Sequence, residues 1–329
     1  MLPQTEGTPA AARLDPRETH HLIPSPVAGL RLFLRHLAPP GPAGAAPSGR
    51  AVLYVHGGTF PSALSIAHRF DGRSWRDQLC AAGFHVWGVD FHGFGGQSDP
   101  WPEMAEPAEL HPPLGRTQAA SRQLERAIRF IMAHHGIERI SLIAHSWGSM
   151  VAGHFAGTCP DLVDRIVLFG PIARRDRQGE PVRLPAWRLV TVQDQWERFT
   201  ADVPAGMPPV LSAAHFADWA ERYLDGDPAS RSRTPPAVKT PCGAFQDIFD
   251  AWAGIFAYDP SFVRAPVAII RGAWDSMCTD ADAAWLRAAF TGAAECRDVV
   301  IPRATHLMHL ESGRAALYRA TTAFLGGAA

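Results

Sequence analysis

At 329 residues the chain is long for an average domain but ordinary for one large α/β domain carrying an insertion. A hydrophobic fraction of 47% with ten tryptophans supplies a large core and excludes intrinsic disorder. The formal net charge is −1 and arginine is spread along the chain, so nucleic acid has no electrostatic footprint here and a membrane surface no polybasic patch.

The cysteines Cys80, Cys159, Cys242, Cys278 and Cys296 are scattered and form no C-x-x-C pair. That pattern suits reduced core thiols in a cytosolic protein better than a disulfide framework or a zinc site. Met1 to Arg17 carries no apolar run of the kind a signal peptide needs, and no stretch approaches the length of a membrane span. The expectation is a cytoplasmic protein with a small-molecule partner, no metal and no cofactor.

Residues 1–18 read as a flexible leader. His20 to Pro24 and Leu30 to Leu37 read as two antiparallel strands, followed by a low-complexity loop from Pro39 to Gly49. Ala51 to Val55 is a continuous apolar strand, which needs cover on both faces and so predicts a parallel sheet flanked by helices. It runs into His56-Gly57-Gly58-Thr59-Phe60-Pro61, where glycines free backbone N–H groups to face a ligand, although a plain turn uses the same residues. A helix over Ser74 to Ala82 and a strand over Phe84 to Val89 follow.

Asp90 to Ser98 contains a lone G-x-G, but a dinucleotide site fails on detail. Ser98 stands at the third glycine position, and Asp99-Pro100-Trp101-Pro102 lie where a helix should start. Beyond a Pro-rich loop, Thr117 to His135 is a periodic helix with Leu124, Ala127, Ile128 and Ile131 on one face and Gly136 as its stop. His134 and His135 in its last turn are explained by the helix dipole, without a metal.

Ile140-Ser141-Leu142-Ile143 reads as a buried strand that breaks at Ala144-His145-Ser146-Trp147-Gly148 and continues as a helix from Met150. Small residues two before and two after Ser146 permit a sharp turn that holds the hydroxyl at the strand tip. A helix-capping serine would give the same local pattern. Arg165 to Phe169 is the next strand, and there the β/α alternation stops. Residues 172–260 carry many prolines and three helix-like pieces, Gln193 to Phe199, Ala213 to Leu224 and Phe245 to Ala257. They are dense in aromatics, among them Trp187, Trp196, Trp219, Phe249 and Trp252. A segment too small to bury these by itself should lie over the sheet, its rings shared between an interface and a pocket wall.

The rhythm resumes with the strand Pro266 to Ile270, the turn Arg271-Gly272-Ala273-Trp274-Asp275, a helix over Thr279 to Ala289, the strand Cys296 to Ile301, then Ala304-Thr305-His306 and a final helix to Phe324. Ser146, Asp275 and His306 thus all fall just beyond strand ends, where open α/β sheets place their ligands.

With these motifs in place the chain resembles the α/β-hydrolase superfamily, in the branch with a cap inserted after the sixth strand. His56-Gly57 resembles the oxyanion loop, Asp90 to Ser98 the D-x-x-G-x-G-x-S turn, Ala144 to Gly148 the nucleophile elbow with alanine for its first glycine, and the loops bearing Asp275 and His306 the acid and histidine loops. The resemblance implies a mostly parallel eight-stranded sheet, a core over 19–171 and 261–329, and a helical cap over 172–260. It further implies Ser146 as nucleophile, His306 as base, Asp275 as its orienting acid, and the N–H groups of Gly58 and Trp147 as oxyanion donors, with Thr59 as the alternate. His309 is the rival base, and Asp280 and Asp282 are weaker rivals to Asp275. Thr59, His145, Trp187, Trp196, Trp219, Phe249 and Trp252 are candidate substrate contacts. The expected activity is hydrolysis of a carboxylic ester, thioester or lactone with an apolar or aromatic group. Amide or C–C bond hydrolysis on the same triad is the alternative. The His-Ser-Trp-Gly elbow is also similar to that of proline iminopeptidases, for which Glu197, Asp218, Glu221 or Asp247 would grip an amine. A binding protein on the same fold is the third reading.

Overall fold

The computed structural model describes residues 14–41, 49–176 and 182–327. The described strands are β1 (Thr19–Pro24), β2 (Arg31–Leu37), β3 (Ala51–Val55), β4 (His85–Asp90), β5 (Ile140–His145), β6 (Val163–Phe169), β7 (Trp187–Thr191), β8 (Ala237–Pro241), β9 (Val267–Gly272) and β10 (Cys296–Ile301). Eight of them form one sheet in the order β1-β2-β4-β3-β5-β6-β9-β10. Only β1 with β2 and β2 with β4 run antiparallel; every pairing from β4 to β10 is parallel.

The α-helices are α1 (Trp75–Ala81), α2 (Thr117–His135), α3 (Trp147–Thr158), α4 (Val192–Thr200), α5 (Ala213–Leu224), α6 (Gly243–Trp252), α7 (Asp280–Ala289) and α8 (Arg314–Leu325). The unbroken apolar run of β3 is explained by cover on both sides. Ala51, Leu53 and Val55 share a cluster with Leu124, Ile128 and Ile131 of α2 and with Met150 and Phe155 of α3. Val52 and Tyr54 share the opposite one with Trp75 and Leu79 of α1 and Leu317 of α8. Each such side chain contributes on the order of 1.5–3 kcal/mol by leaving water. Helix α2 stops at Gly136, whose φ of 63° is the left-handed conformation that glycine adopts without a Cβ clash.

Of the expected leader, residues 1–13 lie outside the described residues, but Asp15 and Glu18 are packed against the core. Glu18 accepts from Arg35 and, at 2.7 Å, from Arg76, two buried guanidiniums whose charge requires a counterion. Residues 15–18 are therefore held in the fold and do not belong to a flexible leader.

The insertion also departs from expectation. Besides α4 and α5 it holds a second, two-stranded sheet in which β7 and β8 pair antiparallel, so the insertion is not purely helical. Phe199, Phe216, Trp219 and Tyr223 pack there against Phe60, Leu64, Leu307 and Leu310 of the core loops. Helix α6 joins the main core instead, through Ala244, Ile248 and Ala251.

Where β2 and α2 end and β4 begins, His36, His85 and His135 gather beside Trp87, with His36 stacked on the indole at 4.2 Å. Burial, reinforced by the neighbouring histidines, holds His36 down at about 3 and His135 at about 4. Below the ordinary value of about 6.5 the unfolded chain takes up protons that these rings refuse, so stability should fall as pH drops from about 6.5 to about 4. Glu311, pushed up to about 7 by burial, opposes this by gaining a proton in the folded state over part of the same range. Denaturant unfolding across that range should show a smaller acid loss for His36→Phe than for the native chain; an unchanged slope would remove His36 from the effect.

Candidate active site

Ser146 sits at the break between β5 and α3 with φ 53° and ψ −126°. A non-glycine residue held there costs on the order of 1–3 kcal/mol and persists only where its surroundings impose it. The Ser146 N–H donates to the Phe169 carbonyl at 3.1 Å, tying the turn to the end of β6. A Cβ on Gly148 would lie 2.5 Å from the His56 carbonyl oxygen, so the second small position of the elbow is obligatory. Trp147 opens α3, and amides in a first helical turn have no intrahelical acceptor. Its indole N–H donates to Asp247 Oδ2 on α6 at 2.9 Å, which pins the residue carrying the proposed oxyanion amide.

The loop after β3 runs alongside. A Cβ on Gly57 would lie 3.4 Å from Ser146 Cβ. His56 Nε2 accepts from the Phe91 N–H at 3.1 Å, so its proton is on Nδ1, which donates to the Gly57 carbonyl at 2.7 Å. Because the Gly57–Gly58 peptide is planar, turning that carbonyl toward the imidazole turns the Gly58 N–H the other way. Gly58 is roofed by α6: a Cβ there would lie 2.9 Å from Ala244 Cβ.

Asp275 and His306 meet beyond β9 and β10. His306 Nδ1 lies 3.0 Å from Asp275 Oδ1 and 3.1 Å from Oδ2, both side chains being buried. The Met277 and Cys278 N–H groups donate to Asp275 Oδ1 at 2.9 and 3.0 Å, which fixes the carboxylate. Gly170 makes room for the pair, since a Cβ there would lie 2.9 Å from His306 Nδ1. His306 Nε2 is buried with no hydrogen-bond partner among the described residues, and so no hydrogen bond yet joins it to Ser146. Such contacts often tighten only around substrate. Behind the histidine loop, Glu311 accepts from the Thr305 hydroxyl and amide, closing Thr305–Glu311 into a compact turn.

The structure brings Ser146, Asp275, His306, Gly58, Thr59 and Trp147 into one region and sorts the remaining candidates. His145 donates from Nε2 to the His306 carbonyl at 3.1 Å and stacks on Phe169, bracing the histidine loop from within. His309 is buried against Phe60 and His145 without a carboxylate partner, and burial holds its pKa well below the ordinary value. Asp280 pairs with Arg271, and Asp282 caps α7 and binds Arg175, so neither is available to a histidine. Trp219 is buried in the cap with its indole N–H on the Leu64 carbonyl, and Trp196 packs on Phe216 in the same unit. Trp187 donates to the Glu106 carbonyl beside Lys239. Phe249 and Trp252 lie on α6 with their rings 6.2 Å apart, and Arg175 covers Trp252.

Two arginines of the insertion carry no sequence signal. Arg198 Nη2 donates to Thr59 Oγ1 at 2.7 Å, and Arg188 lies 4.0 Å over the ring of Phe245, next to Gly58. No local motif marks either one.

Among the described residues no helix is long and apolar enough to cross a membrane. Several solved structures share the architecture. The thioesterase domain from the curacin biosynthetic pathway matches at 15% identity and TM-score 0.60, over 92% of this chain and 98% of that one. N-formylmaleamic acid deformylase from Pseudomonas putida S16 matches at 14% and 0.58, over 91% and 98%. A thermophilic esterase from Thermogutta terrifontis, solved with malate bound, matches at 19% and 0.56, over 93% and 98%. At these identities the likeness speaks for the fold. The model of the alpha/beta hydrolase fold family matches residues 50–312, which takes in β3, the elbow, the cap and both loops that carry Asp275 and His306. By that match, on this sheet, the chain belongs to the α/β-hydrolase fold family.

Proposed function

We propose that the protein is a serine hydrolase of carboxylic esters or thioesters working through an acyl-enzyme. The observation that carries this reading is the strained Ser146 turn set beside a buried His306–Asp275 pair whose distal nitrogen is left unpartnered. Ser146 Oγ attacks the acyl carbon while His306 Nε2 takes its proton. Asp275 stabilises the imidazolium, and the Gly58 and Trp147 amides receive the negative oxygen. His306 then protonates the departing alcohol or thiol, and water repeats the cycle to release the acid. Unpaired cysteines fit a cytoplasmic setting for this activity.

An aminopeptidase-like reading needs a free carboxylate facing the site. Asp247 is occupied by Thr117, Trp147 and Arg116, while Glu197, Asp218 and Glu221 are exposed and engaged with Gln193, Arg222 and Arg231. A panel of p-nitrophenyl esters, acyl thioesters and aminoacyl-naphthylamides should show turnover of the first two and none of the third. Preferential cleavage of the aminoacyl amides would replace this reading.

A further inference from the structure

The cap presents hydrogen-bond donors to the oxyanion loop and supplies too few acceptors. Arg198 on α4 gives its donors to two neutral oxygens, Thr59 Oγ1 at 2.7 Å and Gln195 Oε1 at 2.8 Å. Among the described residues no carboxylate lies within ion-pair distance of it, and its flat faces are covered by Phe60 and Phe199 at 5.7 and 5.3 Å. Gln195 is fully buried, with its Oε1 taken by Arg198 and its amide against the Tyr223 hydroxyl. Arg188 on β7 stacks on Phe245, and its Nε is likewise buried without an acceptor. Asp194, the acid nearest Arg188 in sequence, has its carboxylate in the capping box with Thr191, and the exposed Glu197 beside Arg198 accepts from Gln193. Tyr223, between these groups, gives its hydroxyl proton to the Val190 carbonyl and so adds no negative charge.

A partly buried guanidinium without a counterion is unfavourable, and the buried Arg188 Nε left unpaired adds to the cost. Burial and the repulsion between the two arginines bring Arg198 down to about 10, which still leaves it charged at neutral pH. Arg198 binds the loop that carries the proposed oxyanion amide through Thr59, and Arg188 lies over Phe245, whose ring borders Gly58. A ligand that would satisfy the set must bring several acceptor oxygens and a negative charge, which a carboxylate does in the planar, two-oxygen geometry that arginine matches.

We infer that the cap arginines form a carboxylate subsite, so that the substrate is an ester or thioester carrying a second, ionised carboxyl group, such as a half-ester of a dicarboxylic acid. The inference rests on the hydrolase reading above for the scissile bond, and on the arginines alone for the second group. The acid product would retain one carboxylate on Arg198 and Arg188 and release the other at Ser146, and so should bind as a product inhibitor.

The test compares p-nitrophenyl hemiglutarate with neutral p-nitrophenyl butyrate, reading the ratio of their kcat/KM values. The native protein should favour the anionic ester at least tenfold. Arg198→Gln and, independently, Arg188→Gln should each bring the ratio toward one, whatever they do to the absolute rates, and Arg198→Lys should keep part of it. Glutarate should raise the native Tm and inhibit competitively where glutaramide does not, a readout that needs no turnover and that both glutamine variants should lose. A native ratio near one, or a ratio that survives both substitutions, overturns the subsite. Equal losses on both esters would instead make Arg198 a support for the oxyanion loop and would likewise overturn it. If no ester is cleaved but glutarate still binds through Arg198, the subsite stands and the hydrolase reading fails.

Discussion

Ser146→Ala should lower kcat on esters by on the order of 10⁶ while shifting stability by under about 1 kcal/mol. The methyl group occupies the same elbow, keeps the Phe169 hydrogen bond through its backbone, and leaves the Gly148 approach to His56 untouched. What it removes is the hydroxyl proposed as the nucleophile. Thermal unfolding beside steady-state kinetics checks both halves. A variant that keeps more than a few per cent of native turnover would take Ser146 out of the chemistry.

His306→Ala should cost on the order of 10⁴–10⁶ in kcat, whereas His309→Ala should cost tenfold or less in rate and be felt mainly as lost stability. The two imidazoles are three residues apart and both buried, so proximity does not separate them. Partnership does. His306 has a carboxylate at 3.0 Å that favours its protonated form in the transition state. His309 faces Phe60, Phe169 and His145, where an added proton would meet apolar rings and another imidazole. Truncating it empties a packed site, which should cost about 2–4 kcal/mol of unfolding free energy. The opposite ranking in kcat would hand the base role to His309.

The sequence carries the sheet and most of the helices because these rest on local signals, although α3 starts at Trp147 and not Met150, and α6 ends at Trp252 and not Ala257. Thr117–His135 is bounded by its own periodicity and by Gly136, and Ser146 by five contiguous residues at a strand-to-helix boundary. The misreadings share a different physics. Glu18 is ordered by Arg35 and Arg76, residues distant in the chain, so nothing beside it in sequence announces a partner. Strands β7 and β8 pair across a long insertion without a hairpin turn, and β8 ends in Pro241, which weakens its strand signal. Asp247 is from sequence one of four acids that could grip an amine, but α2 and the elbow indole both use it. Arg188 and Arg198 acquire meaning only from what surrounds them, aromatic rings and neutral oxygens brought together by the fold.

The central claim, that Ser146 is an activated nucleophile served by His306, is tested most directly by fluorophosphonate labelling followed by intact mass and peptide mapping. The account predicts one adduct per chain, on the peptide bearing Ser146. It should be absent in Ser146→Ala, slowed at least a hundredfold in His306→Ala, and formed at near-native rate in His309→Ala. Ester turnover by a chain that takes no label on Ser146, or labelling that proceeds unchanged without His306, would contradict it.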